Sequence, residues 1–278
     1  MVTEATIGEV HYGGRRLVYE VRGRGDRPFV ALHGLLVPGG INGTLARLLA
    51  EQGNRVILLD LLGHGRSDKP TDASEHRLEF AAEQVIALLD QLELDEAVVG
   101  GMSLGANVTL QLAATQPHRV RAAVCEMPVL ERGTVGVMLG LLPLFVALRY
   151  GGWPVRTLFR TVQRLPRTPS ETFNAILDTA GEPSSMAAIM HGYTAGPFCP
   201  SAPVRRTIET PTLVIGHAGD RLHPIDDAET LVREMPNARL VKANSFLELR
   251  TKPARLVAEI ARFLDEVWDE ELAQVGEG

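Results

Sequence analysis

The sequence predicts an α/β chain with a mostly parallel eight-stranded sheet, helices on both faces and a helical lid inserted into it. Three observations predict this. Short apolar runs alternate with helix-length segments, as parallel strands joined by helical crossovers do. Two early β-type segments flank Gly13-Gly14. From Pro128 to about Val204 the strand-like runs stop and only helical patterning continues. The expected division is therefore a core of residues 1–127 and 205–278, with residues 128–204 as the lid.

The elements follow in order. ATIGEVHY and RRLVYEVRG, on either side of Gly13-Gly14, form an antiparallel hairpin leading into the sheet. PFVALHG, RVILLD, EAVVGG, RAAVCEM, PTLVIGH and ARLVKA supply the remaining six strands. Amphipathic patterns place helices at Glu75 to Leu94, Ser103 to Gln116 and Asp226 to Met235, and Pro253 opens the last helix in the position proline favours, its first turn. The lid reads as VGVMLGLLPLFVALRY, PVRTLFRTVQRL, SETFNAILDTA and SSMAAIMHGY, separated by Gly- and Pro-containing turns.

Composition excludes several function classes. With 278 residues and 45% apolar content the chain can bury a large core without covalent staples. Its two cysteines, Cys125 and Cys199, form neither a disulfide framework nor a zinc-ligand spacing. Cytoplasmic localisation is the expectation, and neither a metal nor an organic cofactor is implied. A net charge of −6 argues against a nucleic-acid binder, which needs clustered Lys and Arg. The N-terminus lacks the basic start and apolar run of a signal peptide. The uncharged apolar stretch from Gly133 to Leu148 is shorter than the ~20 residues of a membrane-spanning helix, and Pro143 interrupts it, so no membrane span is expected.

The chemistry centres on VVGGMSLGANVTLQLA, where Gly101-Met102-Ser103-Leu104-Gly105 makes G-x-S-x-G between a predicted strand and a predicted helix. That context presents a serine on a sharp turn, and the small glycines let strand and helix approach closely. The helix N-terminus then aims backbone N–H groups at developing negative charge. Upstream, His33-Gly34 ends the third strand, and the turn after it can offer the N–H of Leu35 to an oxyanion, with the N–H of Leu104 as the second donor. Asp60, His64 and Ser67, in DLLGHGRSDKP, are read as a hydrogen-bonded structural corner.

Taken in order, HG, DLLGHGRSDKP, GGMSLGA and PTLVIGHAGDRLHP resemble the α/β-hydrolase superfamily of lid-containing serine hydrolases over nearly the whole chain. The resemblance implies Ser103 as nucleophile, Asp220 as acid, and the N–H groups of Leu35 and Leu104 as oxyanion donors. It also implies a histidine about seven residues before the proline that opens the final helix. That register falls on Phe246, preceded by Ser245 where glycine is usual, and no histidine follows His223. Phenylalanine accepts no proton. Loss of the histidine from such a set costs roughly 10⁶ in kcat, with ~10³ of rate enhancement surviving from binding and the oxyanion hole.

The expectation is therefore an esterase-like serine enzyme with an incomplete Ser-His-Asp set. His223, His217 and His191 are the candidate substitutes for the base, each with a structural alternative. Glu248 is read as a solvent-facing residue and Glu126 as an acidic neighbour of the pocket. The substrate would be a small apolar ester, thioester or related carbonyl compound, including a carrier-linked acyl group received on the arginine row Arg156, Arg160 and Arg164. The alternatives are a non-hydrolytic enzyme of cyclase, lyase or synthase type, or a catalytically degenerate small-molecule binder.

Overall fold

A computed structural model describes residues 5–168, 170–178, 181–220, 222–245 and 247–275. Eight strands form one sheet in the order β1-β2-β4-β3-β5-β6-β7-β8. They are β1 (Thr6–Tyr12), β2 (Arg15–Arg22), β3 (Arg27–Leu32), β4 (Asn54–Asp60), β5 (Ala97–Met102), β6 (Val120–Glu126), β7 (Thr212–His217) and β8 (Ala238–Ala243). β2 runs antiparallel to β1 and β4; the other pairings are parallel. The hairpin between β1 and β2 turns on Gly13 and Gly14, both at positive φ (57° and 76°), as a two-residue turn that follows strand twist requires.

Alternation along the strands feeds two cores. Val30 and Leu32 of β3, with Ile57 and Leu59 of β4, pack on one face. Phe29, Ala31, Val56 and Leu58 point to the other. The first face is covered by α2 (Leu78–Gln91), α3 (Leu104–Thr115) and α9 (Ile225–Glu234). The second is covered by α1 (Gly43–Ala50) and α11 (Ala254–Val275), preceded by the one-turn α10 (Glu248–Thr251).

Between β6 and β7 the described residues contain helices and no strand: α4 (Glu131–Tyr150), α5 (Gly152–Gln163), α6 (Glu171–Asp178), α7 (Pro183–Thr194) and the short α8 (Ala202–Arg205). Buried side chains hold the two roots of this insertion. Asn107 of α3 donates to the carbonyls of Val129 (2.8 Å) and Phe198 (2.6 Å). The Asp227 carboxylate accepts the N–H groups of Leu130 (2.7 Å) and Gly133 (2.8 Å), satisfying donors that the start of α4 leaves free. Arg205, buried in full, is ion-paired to Glu234 at 2.6 Å and Glu131 at 3.0 Å.

Pro143, read from sequence as interrupting the apolar stretch, does not break the helix that carries it. α4 continues through it for 20 residues. Proline removes one backbone donor and crowds the preceding turn; Pro143 lies on the exposed side of the helix.

Candidate functional site

The C-terminal ends of the parallel strands gather the candidate residues on one edge of the sheet, where α/β proteins build their crevices. β5 ends at Met102 and α3 begins at Leu104, so Ser103 alone makes the turn, at φ 52° and ψ −113°. This backbone is costly for a residue with a Cβ, and its surroundings hold it there. The Ser103 N–H donates to the Glu126 carbonyl (2.8 Å), and the Ser103 carbonyl accepts from Asn107 N–H (3.1 Å). A Cβ at Gly101 would lie 2.9 Å from the Gly105 Cα, and one at Gly105 would meet the Leu32 and His33 carbonyl oxygens at 2.8 Å. Both glycines of the motif are therefore needed for strand and helix to approach.

The turn after β3 is fixed by two buried imidazoles whose ring centres lie 4.5 Å apart. His33 Nε2 accepts the N–H of Leu61, and His64 Nε2 accepts the N–H of Leu36, each at 3.0 Å. Burial pushes both rings toward the neutral form, which these acceptor roles require. Asp60 accepts the N–H groups of Gly39 (2.7 Å) and Arg66 (3.0 Å), and Ser67 bridges to Val18, so the corner is structural, as expected. With Leu36 engaged by His64, the N–H of Leu35 has no acceptor among the described residues, and neither has that of Leu104 at the N-terminus of α3. These are the two donors the sequence singled out.

Asp220 and His223 sit together on the loop after β7. Asp220 Oδ1 accepts the N–H groups of Leu222 (2.8 Å) and His223 (3.1 Å), which turns the chain back so that the His223 ring lies over the same carboxylate. Nδ1 of His223 donates to Asp220 Oδ2 at 2.8 Å, leaving Nε2 to accept from the Ser103 hydroxyl at 3.0 Å. Burial raises the Asp220 carboxyl, but the hydrogen bonds from the His223 ring and the two backbone N–H groups outweigh it and hold the group below the usual carboxylate range. Both side chains remain slightly open, 15% exposed for His223 and 11% for Asp220.

The expectation of an incomplete set is thereby corrected in its geometry, because an imidazole stands within hydrogen-bond reach of both Ser103 and Asp220. Phe246, the position where the histidine was sought, lies outside the described residues. Of the three candidate bases His223, His217 and His191, it is His223 that meets both Ser103 and Asp220, and the D-x-x-H spacing is the signal for it. A carboxylate that caps its own turn brings the residue three positions on to its second oxygen.

The other candidates go elsewhere. His217, at the end of β7, is buried, with Nδ1 2.9 Å from the Ser245 carbonyl and Nε2 3.3 Å from Glu126 Oε1. Glu126 also accepts from Arg250 at 2.8 Å. Burial alone would raise the Glu126 carboxyl; the Arg250 guanidinium and the His217 ring overcome it and hold it down at about 2. Glu248, expected at the surface, is buried and ion-paired to Arg255 at 2.8 Å. His191 lies on α7 at the rim of a cavity, its ring 6.5 Å from that of Phe145.

That cavity, about 280 Å³, runs from Leu35 between α4 and α7. Val137, Leu141, Phe145 and Met190 line it, so the wall beside the free Leu35 N–H is apolar. The arrangement offers a hydroxyl with a proton acceptor on one side, two unengaged N–H donors, and an apolar pocket next to them. Among the described residues no cluster of His, Cys, Asp and Glu has the form of a metal site.

A family model described as the alpha/beta hydrolase fold matches residues 27–246. A 2-hydroxymuconate semialdehyde hydrolase of Pseudomonas putida is 27% identical over 84% of this chain and 84% of its own length. Relatives matched at 41% identity are aligned over only 34% and 29% of their own length; the second is the dihydrolipoyllysine-residue acetyltransferase component of an acetoin cleaving system from Pseudomonas putida, matched by 39% of this chain. Among solved structures, Est816, described as an N-acyl homoserine lactone degrading enzyme, is 26% identical with a TM-score of 0.71, covering 92% of this chain and 100% of its own.

Proposed function

We propose, for a chain that belongs to the α/β-hydrolase fold family, a serine hydrolase acting on a small, largely apolar ester, thioester or related carbonyl compound. The observation that carries this reading is the row Ser103–His223–Asp220, with its two contacts of 3.0 and 2.8 Å. In it His223 Nε2 takes the Ser103 proton as the oxygen attacks the carbonyl, and Asp220 holds the ring in the tautomer that leaves Nε2 free. The developing oxyanion is received by the N–H groups of Leu35 and Leu104. The proton then passes from His223 to the departing alkoxide or thiolate. Water repeats the sequence on the acyl-enzyme, using the same base.

The apolar cavity beside Leu35 supports a lipophilic acyl or leaving group. The hydrolases among the similar proteins support hydrolytic chemistry.

A fluorophosphonate probe tests the reading. It should form a stable adduct on Ser103 in the native protein and none in Ser103→Ala, with labelling slowed in His223→Ala. Labelling of the native protein no faster than that of Ser103→Ala would overturn it.

A further inference from the structure

α4 is unusual on its outer side. Its inner face is set by Val137, Leu141 and Leu148, yet Val135 (59% exposed), Leu139 (67%) and Val146 (46%) point to solvent from the same helix. By length and composition alone it is apolar enough to cross a bilayer, though only 17% of its apolar window is buried. The apolar surface continues onto the neighbouring turn and α5, where Tyr150 is 74%, Trp153 77% and Leu158 59% exposed. So many large apolar side chains exposed on two consecutive helices of a folded chain mark a contact site.

Charge says what would cover it. Residues 131–167 hold six arginines and one acid, Glu131, leaving 22 of the chain's 28 cationic and 33 of its 34 acidic side chains to the rest. The α4–α5 stretch is therefore cationic, although Arg132, Arg156 and Arg167 are ion-paired to Asp226, Glu182 and Asp178 from outside it. Arg160 and Arg164 have no ion-pair partner among the described residues, and Arg149 is placed over the Tyr150 ring, 5.4 Å from its centre. A second copy would set one arginine row against another, whereas an anionic lipid surface neutralises the row and turns the acidic core away.

Position supplies the third argument. Met138 and Leu142 are 39% and 52% exposed on the outer face, and both also line the cavity that begins at Leu35. The mouth of the cavity therefore opens on the apolar surface. An acyl chain seated in lipid could enter without crossing bulk water.

We infer that α4 and α5 dock this protein on an anionic membrane surface, with α4 lying in the interface and not spanning the bilayer, so that lipophilic substrate reaches the cavity from the lipid side. Docking extends the hydrolase reading, but its test reads binding alone and fails or succeeds independently of turnover.

The experiment is co-sedimentation of the full chain with vesicles of pure phosphatidylcholine and with vesicles of equal parts phosphatidylcholine and phosphatidylglycerol. The native protein should pellet with the mixed vesicles at least about tenfold more strongly than with the neutral ones, and lose that preference as salt is raised. The double variant Leu139→Glu/Trp153→Glu should release it from both. Arg160→Glu/Arg164→Glu should abolish only the preference for the anionic vesicles. These positions are exposed, so an unchanged thermal unfolding midpoint serves as the folding control. Should the apolar variant misfold, the arginine variant and the salt series decide alone. No pelleting with mixed vesicles would overturn the inference, as would sedimentation in solution as a dimer that Leu139→Glu disperses.

Discussion

Two imidazole–carboxylate pairs stand at the end of β7, both close to Ser103, and they do different things. His223 and Asp220 are slightly open to solvent, and the second ring nitrogen of His223 faces a hydroxyl. His217 and Glu126 are shut away, and both nitrogens of His217 face oxygens that only accept, the Ser245 carbonyl and the Glu126 carboxylate. A base is thus defined by one nitrogen left free toward the reacting atom, and not by proximity or by a carboxylate partner. The second pair is a clamp, in which Glu126 joins the end of β6 to Arg250 on α10 and His217 joins β7 to the loop after β8.

Removing each imidazole separates the two pairs by the largest effect. His223→Ala should lower kcat for a short-chain ester by about 10⁴ to 10⁶. His217→Gln should instead lower thermal stability while labelling of Ser103 persists. Equal losses of turnover in two folded variants would erase the distinction. Next in size, Asp220→Asn should cost about 10⁴ in kcat with the unfolding midpoint nearly unchanged, because the amide can keep the turn but selects the wrong tautomer.

The clamp is read through stability. Glu126→Gln leaves the Arg250 guanidinium buried without its counter-charge, which should cost about 3–5 kcal/mol in urea unfolding. Its pH dependence follows from the depressed carboxyl. The unfolded group titrates near 4.5 and the folded one at about 2. Its contribution is therefore complete above about pH 4.5 and declines as pH falls toward 2, by on the order of 3 kcal/mol. Glu126→Gln should flatten the stability curve across that window. The smallest expected effect is that of Phe246→His, which should bring no gain in ester hydrolysis because His223 already occupies the acceptor's place. A large gain would return the base to the loop after β8.

Much of this was legible in the sequence. The elbow at Ser103 could be read because strand, glycines and helix start all constrain one residue. The Leu35 turn could be read because it follows a strand of known direction. His223 was harder, because the expected pattern puts acid and base on loops after different strands, and nothing in spacing alone says that Asp220 folds its own loop back. Glu248 looked solvent-facing in a charged stretch, but its partner Arg255 lies seven residues away on the next helix. In each case a tertiary contact decided what the local pattern left open.

One consequence follows from the acid and base sharing four consecutive positions. Asp220 and His223 are held to each other by bonds within their own loop, so a rigid displacement of that loop leaves the pair in register and changes only its distance from Ser103. The proton relay is therefore assembled within one loop, and the 3.0 Å contact between ring and hydroxyl is the single bond by which it meets the nucleophile's strand–helix turn.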